Sequence, residues 1–156
     1  MTKRMETICI RVGAVALVSA WVGFVRAADI VPSVAGGVYT FNVEEGESAT
    51  YSSSIPADCT KMVKTGAGTL TMSGNSVDYH GNVEIQAGVV IATHMNALGR
   101  GSGTMGTTSM NTISVWKDAQ LRATFATDKS DGNSEGRGFR SVIEIAGDGP
   151  DGTGAF

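Results

Sequence analysis

After residue 27 the chain carries no sustained apolar stripe at the 3.6-residue period of an amphipathic helix; its apolar residues alternate or run in short blocks. Those blocks are "GVYTFNV" (37–43), "TLTM" (69–72), "NVEIQAGVVIA" (82–92), "TISVWKDAQLRATF" (112–125) and "SVIEIAG" (141–147). Most are bounded by Gly, Asn, Asp or Ser, the residues that end strands in turns. Pairs such as Val83/Ile85 and Ile113/Val115 alternate with polar neighbours, as half-buried strands do. "THMNALG" (93–99) is long enough for a helix of one or two turns at most. The pattern predicts an all-β chain.

Spacing adds to the pattern. Val83, Ile113 and Ile143 stand 30 residues apart, as do Ile55, Ile85, Val115 and Ile145. Asp58, Gly88, Asp118 and Asp148 follow at the same step, and Ile91 and Leu121 extend the match for one pair. Ser53 and Asp151 break the outer columns. A unit that recurs every 20–50 residues suggests a solenoid, in which strands that cannot bury an apolar side alone are covered by stacking. A β-sandwich is the rival. It also uses short alternating strands, but with turns every 8–12 residues and no 30-residue register.

Composition changes the picture in two places. Glycine is abundant (21 of 156), proline scarce (3) and aromatics few (6%), so tight turns are plentiful and large core side chains are not. The first 27 residues are of another kind: basic "MTKR" and Arg11, the apolar run "VGAVALVSAWVGFV" (12–25), then Val25 and Ala27 at −3 and −1 of a cleavage site. This is the layout of a signal peptide, and the run is short of the ~20 apolar residues a membrane span requires. Cleavage after Ala27 leaves eight basic and fourteen acidic residues, a formal charge of −6, which argues against nucleic acid as a partner. It also removes Cys9 and leaves Cys59 alone, so no internal disulfide is expected. The predicted locale is secreted or cell-surface, with the periplasm a further option, and no stable membrane span remains after cleavage.

Candidate chemistry is sparse. "VKTGAGTLTMSGN" (63–75) lacks the Gly-Lys-Ser/Thr ending of a phosphate loop. Asp128, Asp131 and Glu135 offer oxygen ligands for calcium, but with Gly132 at loop position 6, positions 1 and 3 are Thr127 and Lys129, so the segment reads as a solvated loop. "GDGPDGTG" (147–154) reads the same way. His80 and His94 lie 14 apart with no second close ligand, which does not meet zinc spacing. Cys59 as a nucleophile would need one of those histidines beside it. Trp116 and Tyr79 offer a sugar-stacking pair, and Asp118 and Asp148 a stacked carboxylate pair, each with a simpler reading as packing or turn residues. No catalytic residue, cofactor or metal is expected.

The segment 63–99 resembles the autotransporter-associated β-strand repeat, the passenger-associated repeat of bacterial autotransporters. Lys64, Gly66, Gly68, Leu70, Met72, Gly74 and Asn75 match its first half. Tyr79, Gly81, Val83, Ile85, Ala87, Gly88, Val90, Ala97, Leu98 and Gly99 match its second. Met72 replaces a usual leucine, and "SVDYHGN" replaces a Thr-rich turn. The resemblance implies a right-handed parallel β-helix, exported and displayed by Gram-negative bacteria, with a structural passenger or stalk role. On that basis the chain divides into a leader (1–27), a strand-rich cap or first rung (28–62), the repeat (63–99) and further rungs (100–156). No transmembrane barrel is expected to follow, and Phe156 is expected to leave an uncapped rung; either the product is truncated or another β-helical chain or surface protein covers that end. A carbohydrate-binding or carbohydrate-cleaving β-helix, with a glycan as ligand, and a truncated nonfunctional product are the alternatives.

Overall fold

The computed structural model describes residues 28–100, 110–124, 141–152 and 154–156. The expected leader and the acidic segment 128–136 lie outside them. Among these residues nine strands form a single sheet: β1 (Ala28–Asp29), β2 (Ser33–Ala35), β3 (Val38–Asn42), β4 (Ser48–Tyr51), β5 (Lys61–Thr65), β6 (Thr69–Met72), β7 (Asn82–Ala92), β8 (Asn111–Ala123) and β9 (Ser141–Ile145). No α-helix occurs among the described residues; Pro150–Gly152 makes one 3-10 turn, and 94–98 is turn rather than helix.

Every strand pair is parallel except β2–β3, which is joined through Gly36 and Gly37 at φ 56° and 79°. Both central residues of that two-residue turn sit at positive φ, the conformation whose twist suits a hairpin. The sheet curls at β7, whose two halves pair with different strands along one edge. Lys61–Lys64 pairs with Asn82–Ile85, while Thr69–Met72 pairs with Val89–Ala92 of the same β7. One arm therefore runs β3, β5, β7, β8, β9, and the other runs β1, β4, β6, β7, β8.

The corner between the arms is written in β7. Its buried positions are Val83 and Ile85, then Gly88, Val90 and Ala92. Strict period-2 alternation would turn Val89 and Ile91 inward instead. The change of phase at Gln86–Ala87 lets both halves aim their apolar residues at one core. Two inward columns result: Phe41, Lys64, Ile85, Val115, Ile145 in one arm, and Ala49, Leu70, Val90, Leu121 in the other. Phe41, Leu70, Ile85 and Leu121 are fully buried. The Phe41 ring meets Tyr51 edge-on, with centroids 4.9 Å apart.

The 30-residue register holds for Val83–Ile113–Ile143 and Ile85–Val115–Ile145. It does not extend further. Ile85 pairs with Lys64, at a step of 21, and Ile55 lies in the loop before β5. Beyond the irregularity between Ile85 and Ala87, β8 carries an extra residue, so Ala87 pairs with Asp118, Gly88 with Ala119 and Val90 with Leu121. Gly88/Asp118 and Ile91/Leu121, matched at 30, are thus each one residue out of register. At the far end, Leu121 N–H donates to Ala155 O (2.9 Å) and Gln120 Nε2 to Gly154 O (2.6 Å). Ala155 is buried there, so backbone from 154–155 lies beside β8 where the sequence suggested bare edge, while Phe156 stays 64% exposed.

Candidate functional site

Three further segments stack outside the two arms. Ile55 N–H donates to Ser76 Oγ (2.9 Å), and Ser76 Oγ donates to Ala97 O (3.3 Å), a chain through residues 21 apart. Asn96 Nδ2 donates to Asn75 Oδ1 (2.9 Å), placing motif residue Asn75 in the same stack. Gly74 lies against Ser53 O, and Gly81 against Thr60 O, so closely that a methyl group on either would overlap that carbonyl. Gly99, at φ 80°, lies equally close to Tyr79 O. Leu98 and Tyr79 are fully buried. Gly74, Gly81 and Gly99 therefore serve close approach of backbone to backbone. Ser76 was not singled out by the sequence, although its spacing from Ile55 and Ala97 carries the signal.

The most unusual chemistry lies at the corner after β5. Lys64 is fully buried in the column between Phe41 and Ile85. Its Nζ donates to Gly66 O (2.7 Å), Thr65 O (2.8 Å) and Ala87 O (3.2 Å). Burial lowers its pKa to about 8, with the nearby Glu44 carboxylate opposing that fall. Gly66 and Gly88, at φ 74° and 72°, shape the two corners around it. Side chains on Gly66 would overlap Val43 O, on Gly68 would overlap Glu44 O, and on Gly88 would overlap Gly68 O. Gly68 N–H donates to Val43 O (2.9 Å) and Val89 N–H to Gly68 O (3.1 Å), so the corners bond in succession. The glycines thus receive neighbouring main chain, where a phosphate loop would present free N–H groups.

Other candidate groups are occupied or dispersed. Cys59 is buried, its Sγ donates to Lys61 O (3.2 Å), and burial pushes its thiol pKa up. A neutral buried thiol is a poor nucleophile. His80 Nδ1 bonds Arg100 O (2.7 Å), while His94 Nδ1 accepts from Asn96 N–H (3.1 Å). Among the described residues no group of three or more His, Cys, Asp or Glu side chains gathers around a common point.

The sugar-stacking pair does not form. Trp116 is 48% exposed, but Tyr79 is inside the core, its hydroxyl donating to Asn82 O (2.6 Å) and its pKa raised by burial. Asp118 pairs with Ala87 at the corner, and Asp148 O accepts from Gly154 N–H (2.7 Å) within the C-terminal turn. On the outward face Lys61 and Glu84 form an ion pair of 2.6 Å, which holds the Glu84 pKa below its usual value. No helix among the described residues is long and apolar enough to cross a membrane.

Compared with protein-family models, curated proteins and solved structures, the chain matches none of them.

Proposed function

We propose that the chain is a structural one: an exported stalk or passenger segment of an autotransporter-like surface protein, whose curled sheet is a run of right-handed parallel β-helical rungs. The observation that carries this reading is the continuous parallel register Phe41–Lys64–Ile85–Val115–Ile145, which spans five strands. Each arm repeats the same inward positions, so each layer buries its apolar face mainly against the next, as solenoid rungs do. β3–β4, β5–β6, β7 and β8 are then four rungs, and β9 begins another. Crossover connections between parallel strands are right-handed in nearly all proteins, which favours that hand here.

The role rests on stacking, with Lys64, Gly66, Gly68, Gly74, Gly81, Gly88 and Gly99 at the close approaches. A partner strand would add at the margin of β9, where Val142 and Ile145 are about half exposed. The sequence resemblance and the leader-like first 27 residues supply the surface location. The test is expression of the full chain in a Gram-negative host, followed by fractionation and intact mass. A species beginning at Ala28, found outside the cytoplasm and open to added protease on whole cells, is the expected result. An uncleaved chain confined to the cytoplasm would contradict the reading.

A further inference from the structure

We propose that the main-chain carbonyls of Thr65, Gly66 and Ala87 form a receptor for a monovalent cation, filled in the folded protein by the ammonium group of Lys64, which thereby clasps one corner of the sheet to the next. This inference stands on the corner geometry and does not depend on the exported role. An ammonium group has three N–H donors and no acceptor. Three carbonyl oxygens meet it, at 2.7, 2.8 and 3.2 Å. Two belong to the corner that follows Lys64 itself, and the third to the corner of the next layer.

No carboxylate bonds Nζ among the described residues; Glu44 acts on it only through its field. The site is therefore a set of carbonyl dipoles around a cation, the chemistry by which backbone oxygens replace a hydration shell in ion-selective filters. The carbonyls are held there by the backbone. Gly66 and Gly88 adopt φ values that L side chains rarely take, and Gly88 lies directly against Gly66 O and Gly68 O. A buried charge in an apolar column is costly unless its donors are filled, and here all three are. The position also fixes register, because a one-residue slip of β5 would turn Lys64 to the outer face of the sheet and Val63 or Thr65 inward.

The test replaces the tethered cation with a free one. Lys64→Ala keeps Cβ and opens a channel whose missing atoms are those of n-propylammonium. In the full chain at neutral pH, n-propylammonium is expected to stabilise this variant along a saturating curve. At about ten times its Kd it should raise the folded-to-unfolded ratio by roughly tenfold. n-Propanol, tetramethylammonium and sodium chloride at equal ionic strength should not do so, and the wild type should show no such gain. Rescue by n-propanol equal to that by n-propylammonium would overturn the proposal, since packing alone would then explain it.

Lys64→Met fills the channel without a cation and is expected to unfold at a lower urea concentration than the wild type, with no response to n-propylammonium. Equal stability of Lys64→Met and wild type would also overturn the proposal. Should Lys64→Ala fail to fold, the wild type decides. Its Lys64 Nζ is expected to show an ammonium nitrogen resonance at neutral pH, with hydrogen-bond couplings to the carbonyl carbons of Thr65, Gly66 and Ala87. A neutral-amine resonance, or the absence of those couplings, counts against it.

Discussion

Leu70→Ala is the substitution that reads the stacked core most cleanly. Leu70 is fully buried; it pairs with Ala49 on one side and Val90 on the other. Truncation removes three carbons, worth about 2.4 kcal/mol at ~0.8 kcal/mol per methylene. Its paired neighbours Ala49 and Val90 are too short to reach across and refill the space, so a cavity penalty adds to the transfer loss. Buried Leu→Ala changes cost ~2.7–5 kcal/mol in total, and the upper part of that range applies here. With a urea m-value on the order of 1–3 kcal/mol/M, a loss of ~4 kcal/mol lowers the unfolding midpoint by at least about 1.3 M. Far-UV circular dichroism along a urea series measures it. Val142→Ala, at a side chain 46% exposed on the terminal strand, is the control and should cost under ~1 kcal/mol. Equal losses at Leu70 and Val142, or a negligible loss at Leu70, would refute the core assignment.

The remaining predictions concern corners and titration. Gly66 and Gly46 share nearly the same conformation, at φ 74° and 77°, but only Gly66 has neighbouring main chain in the way. Gly46→Ala should therefore cost about 1 kcal/mol for the left-handed conformation alone, and Gly66→Ala substantially more in the same urea series. Lys64 titrates near 8 in the folded chain against a usual value of 10.5, so between those values the unfolded chain binds more protons and this group's contribution raises stability with pH. The tyrosines and Cys59, whose pKa values are raised, act in the opposite sense. The difference between wild type and Lys64→Met isolates the lysine: it should shift in favour of the wild type as pH rises from about 8 to 10.5, as checked by urea midpoints across that range. Cys59 should resist an aromatic disulfide reagent in native buffer and react fully in urea, because it is buried and its thiol is held protonated.

Much of the all-β architecture was legible because its clearest strands alternate. "TLTM" and "NVEIQAGVVIA" coincide with β6 and β7, and β3, β8 and β9 fall within one or two residues of the blocks that announced them. β5 was hidden. In "KMVKT" the inward residues are Met62 and Lys64, and a lysine facing the core breaks the polar–apolar alternation that marks a strand. β4, "SATY", buries only Ala49 and carries too little apolar surface to stand out.

The 30-residue spacing identified β7, β8 and β9 as neighbours because two inward columns repeat it without interruption. It failed toward the N-terminus, where loops shorten and the steps fall to 23 and 21, as in Phe41–Lys64 and Lys64–Ile85. It failed past Ile85 because a single extra residue at the corner of β8 changes the phase. Side-chain types cannot announce such a corner: Trp116 and Lys117, opposite Gln86, read equally well as ordinary outward strand positions. Lys64, Gly66, Gly68 and Gly88 stand out in the sequence by their spacing, but that the lysine points inward onto carbonyls is a property of the fold, not of the spacing.

The central claim is the parallel register between successive layers, and engineered disulfides test it most directly. Ile91 pairs with Arg122 on the outward face, one residue beyond the partner that a 30-residue repeat would assign. In a background with Cys9 and Cys59 replaced by serine, Ile91→Cys with Arg122→Cys should oxidise readily in the folded protein, since adjacent paired positions fall within the ~4.4–6.8 Å Cα separation that a disulfide spans. Ile91→Cys with Leu121→Cys should not, because Leu121 points into the core. Efficient cross-linking of the 91/121 pair, or of neither pair under native conditions, would contradict the account.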